Sequence, residues 1–245
     1  MSIKGSLAEG LMQLGGTASV ASAVETLSPK LVRIEVQADA IGSLAWRPGD
    51  KIKVHVGDGA LRSYTPSAVD VATGTMEMVA VIHGQGLGSA WAENLSVGDS
   101  VAFVGPKPSL ASVEGAPPWV AFFGDETTLG VAKAILAEVK PGTPILGAIE
   151  ADDEDLGGCR RCGIPLSFVG RKDVYGRALV DYLESVELPT NDGVVWLSGE
   201  AGSLLELRRR LLERGVDRSQ LRIKPYWSLK GKAHRKMLEQ GELRG

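Results

Sequence analysis

The hydrophobic rhythm of this chain changes once, near its middle, and no other feature restricts the fold as much. In the first half, apolar and polar residues alternate in short segments. Val32-Arg33-Ile34-Glu35-Val36 and Lys51-Ile52-Lys53-Val54-His55-Val56 have the period of a half-buried strand. Thr75 to Ile82 and Ser100 to Val104 read as two further strands. Turn chemistry separates them at Pro48-Gly49-Asp50, Gly57-Asp58-Gly59 and Val97-Gly98-Asp99. One short helix, Ser89 to Leu95, interrupts the series. Short strands at short spacing predict an antiparallel β-barrel or sandwich.

Between Gly105 and Pro118 stand four prolines and many small residues, a linker-like composition. Beyond it, Trp119-Val120-Ala121-Phe122-Phe123 is a continuous apolar run, as expected of a parallel strand buried on both faces. A helical segment follows, Thr127 to Val139, and then strands over Pro144 to Ile149, Leu166 to Val169, Val194 to Ser198 and Leu221 to Ile223. Helices are expected at Arg177 to Ser185 and Ser203 to Arg214. Strand–helix alternation predicts a doubly wound α/β domain with a parallel sheet. The expected division is a barrel over 1–115 and an α/β domain over 116–245.

Composition narrows the chemistry. The chain has 27 Lys plus Arg against 30 Asp plus Glu, a formal net charge of −3, which gives no support to nucleic-acid binding. It has only two Cys and three His, so neither a four-cysteine iron–sulfur cluster nor an all-cysteine zinc site can be built within it. Redox chemistry in such a chain would need an organic cofactor. Met1 to Leu14 lacks the pattern of a signal peptide, and no run of 18 apolar residues occurs. The expectation is a cytoplasmic monomer with no membrane and no bound metal.

Arg62-Ser63-Tyr64-Thr65 falls on an expected strand, with Arg62 and Tyr64 on one face and Ser63 and Thr65 on the other. A guanidinium can grip a phosphate with two hydrogen bonds, and a phenol offers a face for ring stacking. An equally simple reading is a surface Arg beside a half-buried Tyr. Then comes His83-Gly84-Gln85-Gly86-Leu87-Gly88-Ser89, after a strand and before a helix that carries Trp91. Ser89 could cap that helix, leaving the amides of Ser89, Ala90 and Trp91 to face an anion.

Arg62-Ser63-Tyr64-Thr65 resembles the Arg-x-Tyr-Thr/Ser motif of the ferredoxin–NADP reductase superfamily. More narrowly, His83-Gly84, Gly86-Leu87-Gly88-Ser89 and Trp91-Ala92 resemble the siderophore-interacting proteins, flavin-dependent ferric-siderophore reductases, with Leu87-Gly88 in place of the family's Pro-Ala. The resemblance implies resident FAD, its pyrophosphate held by Arg62, its ring packed on Tyr64, and Thr65 near the flavin N5.

In the second half, Gly124-Asp125-Glu126-Thr127 sits where the first parallel strand meets its helix, the edge at which such sheets bind ligands. Asp125 or Thr127 could cap that helix. The tetrapeptide resembles the same family's Gly-Asp-Glu-Thr motif. Gly199-Glu200, before a helix bearing Arg208-Arg209-Arg210, resembles the family's second such turn. The three arginines spread around the helix and read mostly as a solvated face.

Arg171 and Lys172 follow the third parallel strand, where the wider superfamily can meet the 2′-phosphate of NADPH. Glu150, Asp152 and Asp153 follow the second, where acidic groups suit a ribose diol. NADH and NADPH therefore stand level as co-substrates. Tyr226-Trp227 resembles the family's Tyr-Trp near the C-terminus and reads equally as packing or as a wall beside nicotinamide or flavin. Lys230, Lys232 and Arg235 make a basic rim suited to an anionic ferric chelate, though a solvated helix face explains such a run too.

Cys159-Arg160-Arg161-Cys162 has two arginines that would depress a thiol pKa, yet its loop context favours incidental cysteines. With the resemblance, the sequence implies an FAD-containing, NAD(P)H-dependent ferric-siderophore reductase. The rivals are a general flavin reductase or ferredoxin-type electron-transfer enzyme, and a siderophore-binding module without turnover.

Overall fold

The computed structural model describes residues 15–189 and 192–241. The N-terminal segment read above for a signal peptide lies outside them. The chain forms two compact units, Met1–Ser109 and Leu110–Gly245.

The first unit is an antiparallel sheet of seven strands among the described residues. They are β1 (Thr17–Ser28), β2 (Leu31–Gln37), β3 (Lys51–His55), β4 (Leu61–Tyr64), β5 (Ala68–Asp70), β6 (Thr75–Val81) and β7 (Ser100–Lys107). Their hydrogen-bonded order is β4-β3-β7-β1-β2-β6-β5. The two outermost strands, β4 and β5, are joined by only Thr65, Pro66 and Ser67, so the sheet must curl until its edges meet, which gives the barrel form. Ser67 helps at this seam by donating its amide to the Glu77 carbonyl of β6 at 2.8 Å. Inward residues Ile34, Val36, Ile52, Val54, Met76, Met78, Val101 and Phe103 fill the interior. One helix, α1 (Leu87–Asn94), follows β6.

The longest strand, β1, has no clear alternation in Thr-Ala-Ser-Val-Ala-Ser-Ala-Val-Glu-Thr-Leu-Ser, and the sequence reading leaves it out. Register shifts between Ala21 and Ala23 and between Thr26 and Ser28 explain why. Each irregularity disturbs the inward–outward phase on which a period-2 reading depends.

The second unit has a parallel sheet of β8 (Val120–Asp125), β9 (Ile145–Ala151), β10 (Ser167–Gly170), β11 (Val194–Glu200) and β12 (Leu221–Trp227), ordered β10-β9-β8-β11-β12. Around it lie α2 (Leu129–Leu136), α3 (Leu156–Arg160), α4 (Arg177–Ser185), α5 (Ala201–Glu213) and α6 (Gly231–Gln240). All of β8 is buried, as its apolar run predicts. The expected helix from Thr127 is shorter: Glu126–Thr128 form a 3₁₀ turn and α2 starts only at Leu129. Trp119, Phe123, Leu197, Leu204 and Leu207 belong to the larger core. Strand order reverses between β8 and β11, so their carboxyl ends flank the crevice where doubly wound sheets bind ligands.

Candidate functional site

In the first unit the two predicted phosphate-binding elements come together. Arg62 lies on β4. A Cβ built on Gly88 would sit 3.2 Å from Arg62 Cγ and 3.7 Å from its Nε, so the Arg62 side chain passes directly over this turn. Glycine at 88 leaves room for that passage. The helix begins at Leu87 with Gly86 as its N-cap, and Ala90 N donates to Gly86 O at 3.0 Å. The amides without an intrahelical acceptor are therefore those of Leu87, Gly88 and Ser89, two residues earlier than the sequence reading placed them. A guanidinium and a helix N-terminus then share one small region, each favouring an anion.

Ser89 is not the cap. Its hydroxyl accepts from His83 N at 2.9 Å and donates to His83 O at 2.9 Å, tying the two ends of the glycine turn. Gly84 and Gly86 lie between, with open space where a side chain would stand. Tyr64 and Trp91 form a tilted pair with ring centroids 5.7 Å apart. Burial pushes the Tyr64 phenol up to about 12, so it stays protonated and able to donate. Ser63 is exposed and Thr65 is buried just past the strand end.

In the second unit, the switch-point crevice is lined by Gly124, Asp125, Glu150, Tyr175, Ser198 and Glu200 among others. Asp125 is 4% exposed and organises it. Its Oδ1 accepts from Thr127 N at 3.0 Å and from the Thr127 hydroxyl; its Oδ2 accepts from Glu200 N at 2.8 Å and Trp227 Nε1 at 2.9 Å. Burial raises its pKa while these four donors pull it down. Gly199 explains the approach of β11: a Cβ there would be 2.5 Å from Asp125 Oδ2. The Gly-Glu motif thus serves close packing of two strand ends.

Each helix start around the crevice carries a carboxylate. Glu200 accepts from Ser203 N at 2.7 Å on α5 and from Leu229 N at 3.2 Å. Glu150 accepts from Gly176 N at 3.0 Å and Ala178 N at 3.2 Å on α4. The sequence reading set Glu150 and Asp152 against Arg171 as rival signals; in the structure they are ion-pair partners. Arg171 Nε donates to Asp152 Oδ1 at 2.7 Å, Nη2 pairs with Glu126, and Nη1 lies 3.6 Å from Glu150. The Arg171 guanidinium also lies over the Tyr175 ring, 4.2 Å from its centroid. Tyr175 packs edge-on against Trp227 at 5.3 Å. Tyr175 escapes sequence reading, because a lone aromatic in the loop before α4 has no periodicity to betray it.

Arg209 and Arg210 pair with Glu206, Glu213 and Glu184 on the solvated face of α5, as expected. Tyr226 lies on β12, where its carbonyl accepts from Arg235 Nη1 at 2.5 Å. Lys230 and Lys232 are exposed, and Arg235 is half-buried. The expectation of a depressed thiol pKa is corrected: Cys159 is fully buried at the end of α3, and burial pushes its thiol up to about 12 despite Arg160. Cys162 is buried as well, its thiol 3.7 Å from Gly158 O. A thiolate is the reactive form. Cys159 is accordingly expected to resist alkylation by iodoacetamide at pH 8 in the folded protein and to react once it is unfolded; rapid labelling of the folded form would contradict this placement.

The buried carboxyls also predict a pH dependence. Burial and the neighbouring Asp125 push Glu126 up to about 7, against the pull of Arg171. Its unfolded value is 4.5, so over that interval the folded state holds a proton that the unfolded chain has released. Stability from this group is then present at low pH and lost as pH rises to about 7. Glu126→Gln should gain stability relative to the native chain across that window in urea titrations. A constant difference at all pH values would refute the assignment.

The two units define a class: a flavin-reductase-like fold, with an antiparallel barrel followed by a doubly wound α/β unit. Comparison with family models sharpens this. Residues 57–110 match the siderophore-interacting FAD-binding domain, and residues 117–230 match the siderophore-interacting protein model. The chain belongs to the siderophore-interacting protein family. Among solved structures, it resembles the siderophore-interacting protein from Acinetobacter baumannii, with 20% identity, TM-score 0.76, and 92% of this chain and 96% of that chain covered. It also resembles SipS from Aeromonas hydrophila, with 22% identity, TM-score 0.74, and 93% and 96% covered. Phthalate dioxygenase reductase shares the fold at 14% identity and TM-score 0.71, over 91% of this chain and 72% of that one. No curated protein matches the chain by sequence.

Proposed function

We infer that the chain is an FAD-dependent oxidoreductase that takes reducing equivalents from NADH or NADPH and reduces a ferric siderophore, so that iron leaves as Fe(II). The observation that carries this reading is Arg62 lying across Gly88 at the N-terminus of α1, beside the Tyr64–Trp91 pair. That cradle fits a pyrophosphate joined to a large planar ring. Arg62 and the Leu87, Gly88 and Ser89 amides would hold the pyrophosphate of FAD, Tyr64 would face its ring, and Thr65 would lie near N5. His83, through its backbone, and Gly84 and Gly86 shape the turn; Trp91 supports Tyr64. When bound, FAD supplies hydride acceptance and one-electron release, which no side chain here can supply.

In the second unit, Gly124, Asp125, Glu126, Thr127, Gly199 and Glu200 would frame the nicotinamide dinucleotide at the switch point. Tyr226 and Trp227 stand at the carboxyl end of β12 on the same edge. Lys230, Lys232 and Arg235 would draw in an anionic ferric chelate. The chain would work as a cytoplasmic monomer. Among the described residues no helix is long and apolar enough to cross a membrane.

The resemblance to phthalate dioxygenase reductase, whose description names electron transfer from pyridine nucleotides to [2Fe-2S], favours a second reading as a protein-directed electron-transfer enzyme. Initial rates of NAD(P)H oxidation with ferric siderophore, free flavin and a [2Fe-2S] ferredoxin separate the readings. Ferric siderophore is expected to be the fastest acceptor; preference for ferredoxin would favour the second.

A further inference from the structure

Arg171 and Lys172 are the cations that follow β10, where a 2′-phosphate would need one. Arg171 is taken up by other groups, and Lys172 is held by a surface ion pair. Arg171 is 9% exposed, held by Asp152, Glu126 and Glu150, with Tyr175 stacked on its guanidinium. Its own amide donates to Ala151 O at 2.8 Å, which fixes the loop against the end of β9. Lys172 donates to Asp181 Oδ2 at 2.6 Å, and Asp181 also takes Arg177. Three carboxyl groups thus surround one guanidinium. Asp152 is the member of this group that follows the second parallel strand directly, and at 36% side-chain exposure it is the one most open to solvent. In doubly wound sheets, a carboxylate after the second strand can accept hydrogen bonds from the two ribose hydroxyls of NADH, while a 2′-phosphate there meets like charge.

We propose that the second unit selects NADH over NADPH, and that Asp152 sets the choice by accepting from the adenosine ribose and by occupying Arg171. The proposal rests on the reading that this unit binds a nicotinamide dinucleotide. Isothermal titration of the FAD-saturated full chain with ADP-ribose and with 2′-phospho-ADP-ribose measures binding without turnover. ADP-ribose should bind about tenfold or more tighter. Asp152→Ser should weaken ADP-ribose and tighten the 2′-phosphate form, bringing the two to within about threefold. Asp152→Asn, nearly the same shape, should also weaken ADP-ribose and tighten the 2′-phosphate form, and guards against a folding defect. Equal affinities in the native chain, or a native preference untouched by both variants, would overturn the proposal alone. Binding of neither ligand would instead overturn the nicotinamide reading on which it stands.

Discussion

Arg62→Ala should lower FAD affinity by about thirtyfold or more while leaving the fold intact. The side chain is exposed, on β4. Its Nη1 donates to the carbonyl of its neighbour Leu61, at 3.1 Å. Stability should therefore change little. The guanidinium lies over Gly88, where the amides of α1 also converge. Removing one charge-assisted grip on a phosphate costs about 2 kcal/mol or more, which is about thirtyfold in affinity. Arg62→Lys should recover part of this, because the charge remains and the two-pronged geometry does not. Fluorescence titration of apoprotein with FAD reads all three. Unchanged affinity in Arg62→Ala would remove Arg62 from the cradle.

Gly147→Ala should be the most damaging small substitution in the parallel sheet. Gly147 sits in β9 opposite Phe122 of β8, with φ +112. A Cβ there would lie 2.0 Å from Phe122 O, a backbone atom in a wholly buried strand that cannot step aside. Conformational strain and overpacking each cost about 1–3 kcal/mol, so a loss of about 4 kcal/mol is expected. That is a large part of the stability of an ordinary domain. The damage would fall between the strands that carry Asp125 and Glu150, so nucleotide binding should fail together with stability. Urea unfolding followed by the fluorescence of buried Trp119 and Trp196 measures it. A loss below about 1 kcal/mol would mean that β8 and β9 are not paired in this register.

What could be read from the sequence followed physical regularity. The apolar run ending in Phe123 gave away a strand buried on both faces, and Arg177 to Ser185 has a helical stripe strong enough to match α4 at both ends. β1 was hidden by its bulges. The basic run from Lys230 reads as a solvated helix face, and the helix Gly231–Gln240 carries it, with Leu238 its one buried residue. At the sites, motif positions were legible and roles less so. Ser89 looked like a cap and proves to be a tie across the turn. Arg160 and Arg161 suggested an acidic thiol, yet burial outweighs their charge. Arg171 and Asp152 appeared as competing signals because pairing across 19 residues leaves no trace in a linear chain.

Electron transfer from a nicotinamide through bound FAD to ferric siderophore, as proposed, has a direct spectroscopic test. The purified chain saturated with FAD should be yellow. Under anaerobic conditions its absorbance near 450 nm should bleach on adding NADH and return on adding a stoichiometric ferric siderophore, with Fe(II) trapped by ferrozine. A protein that takes up no FAD, or whose reduced flavin is left unchanged by ferric siderophore, would contradict the account.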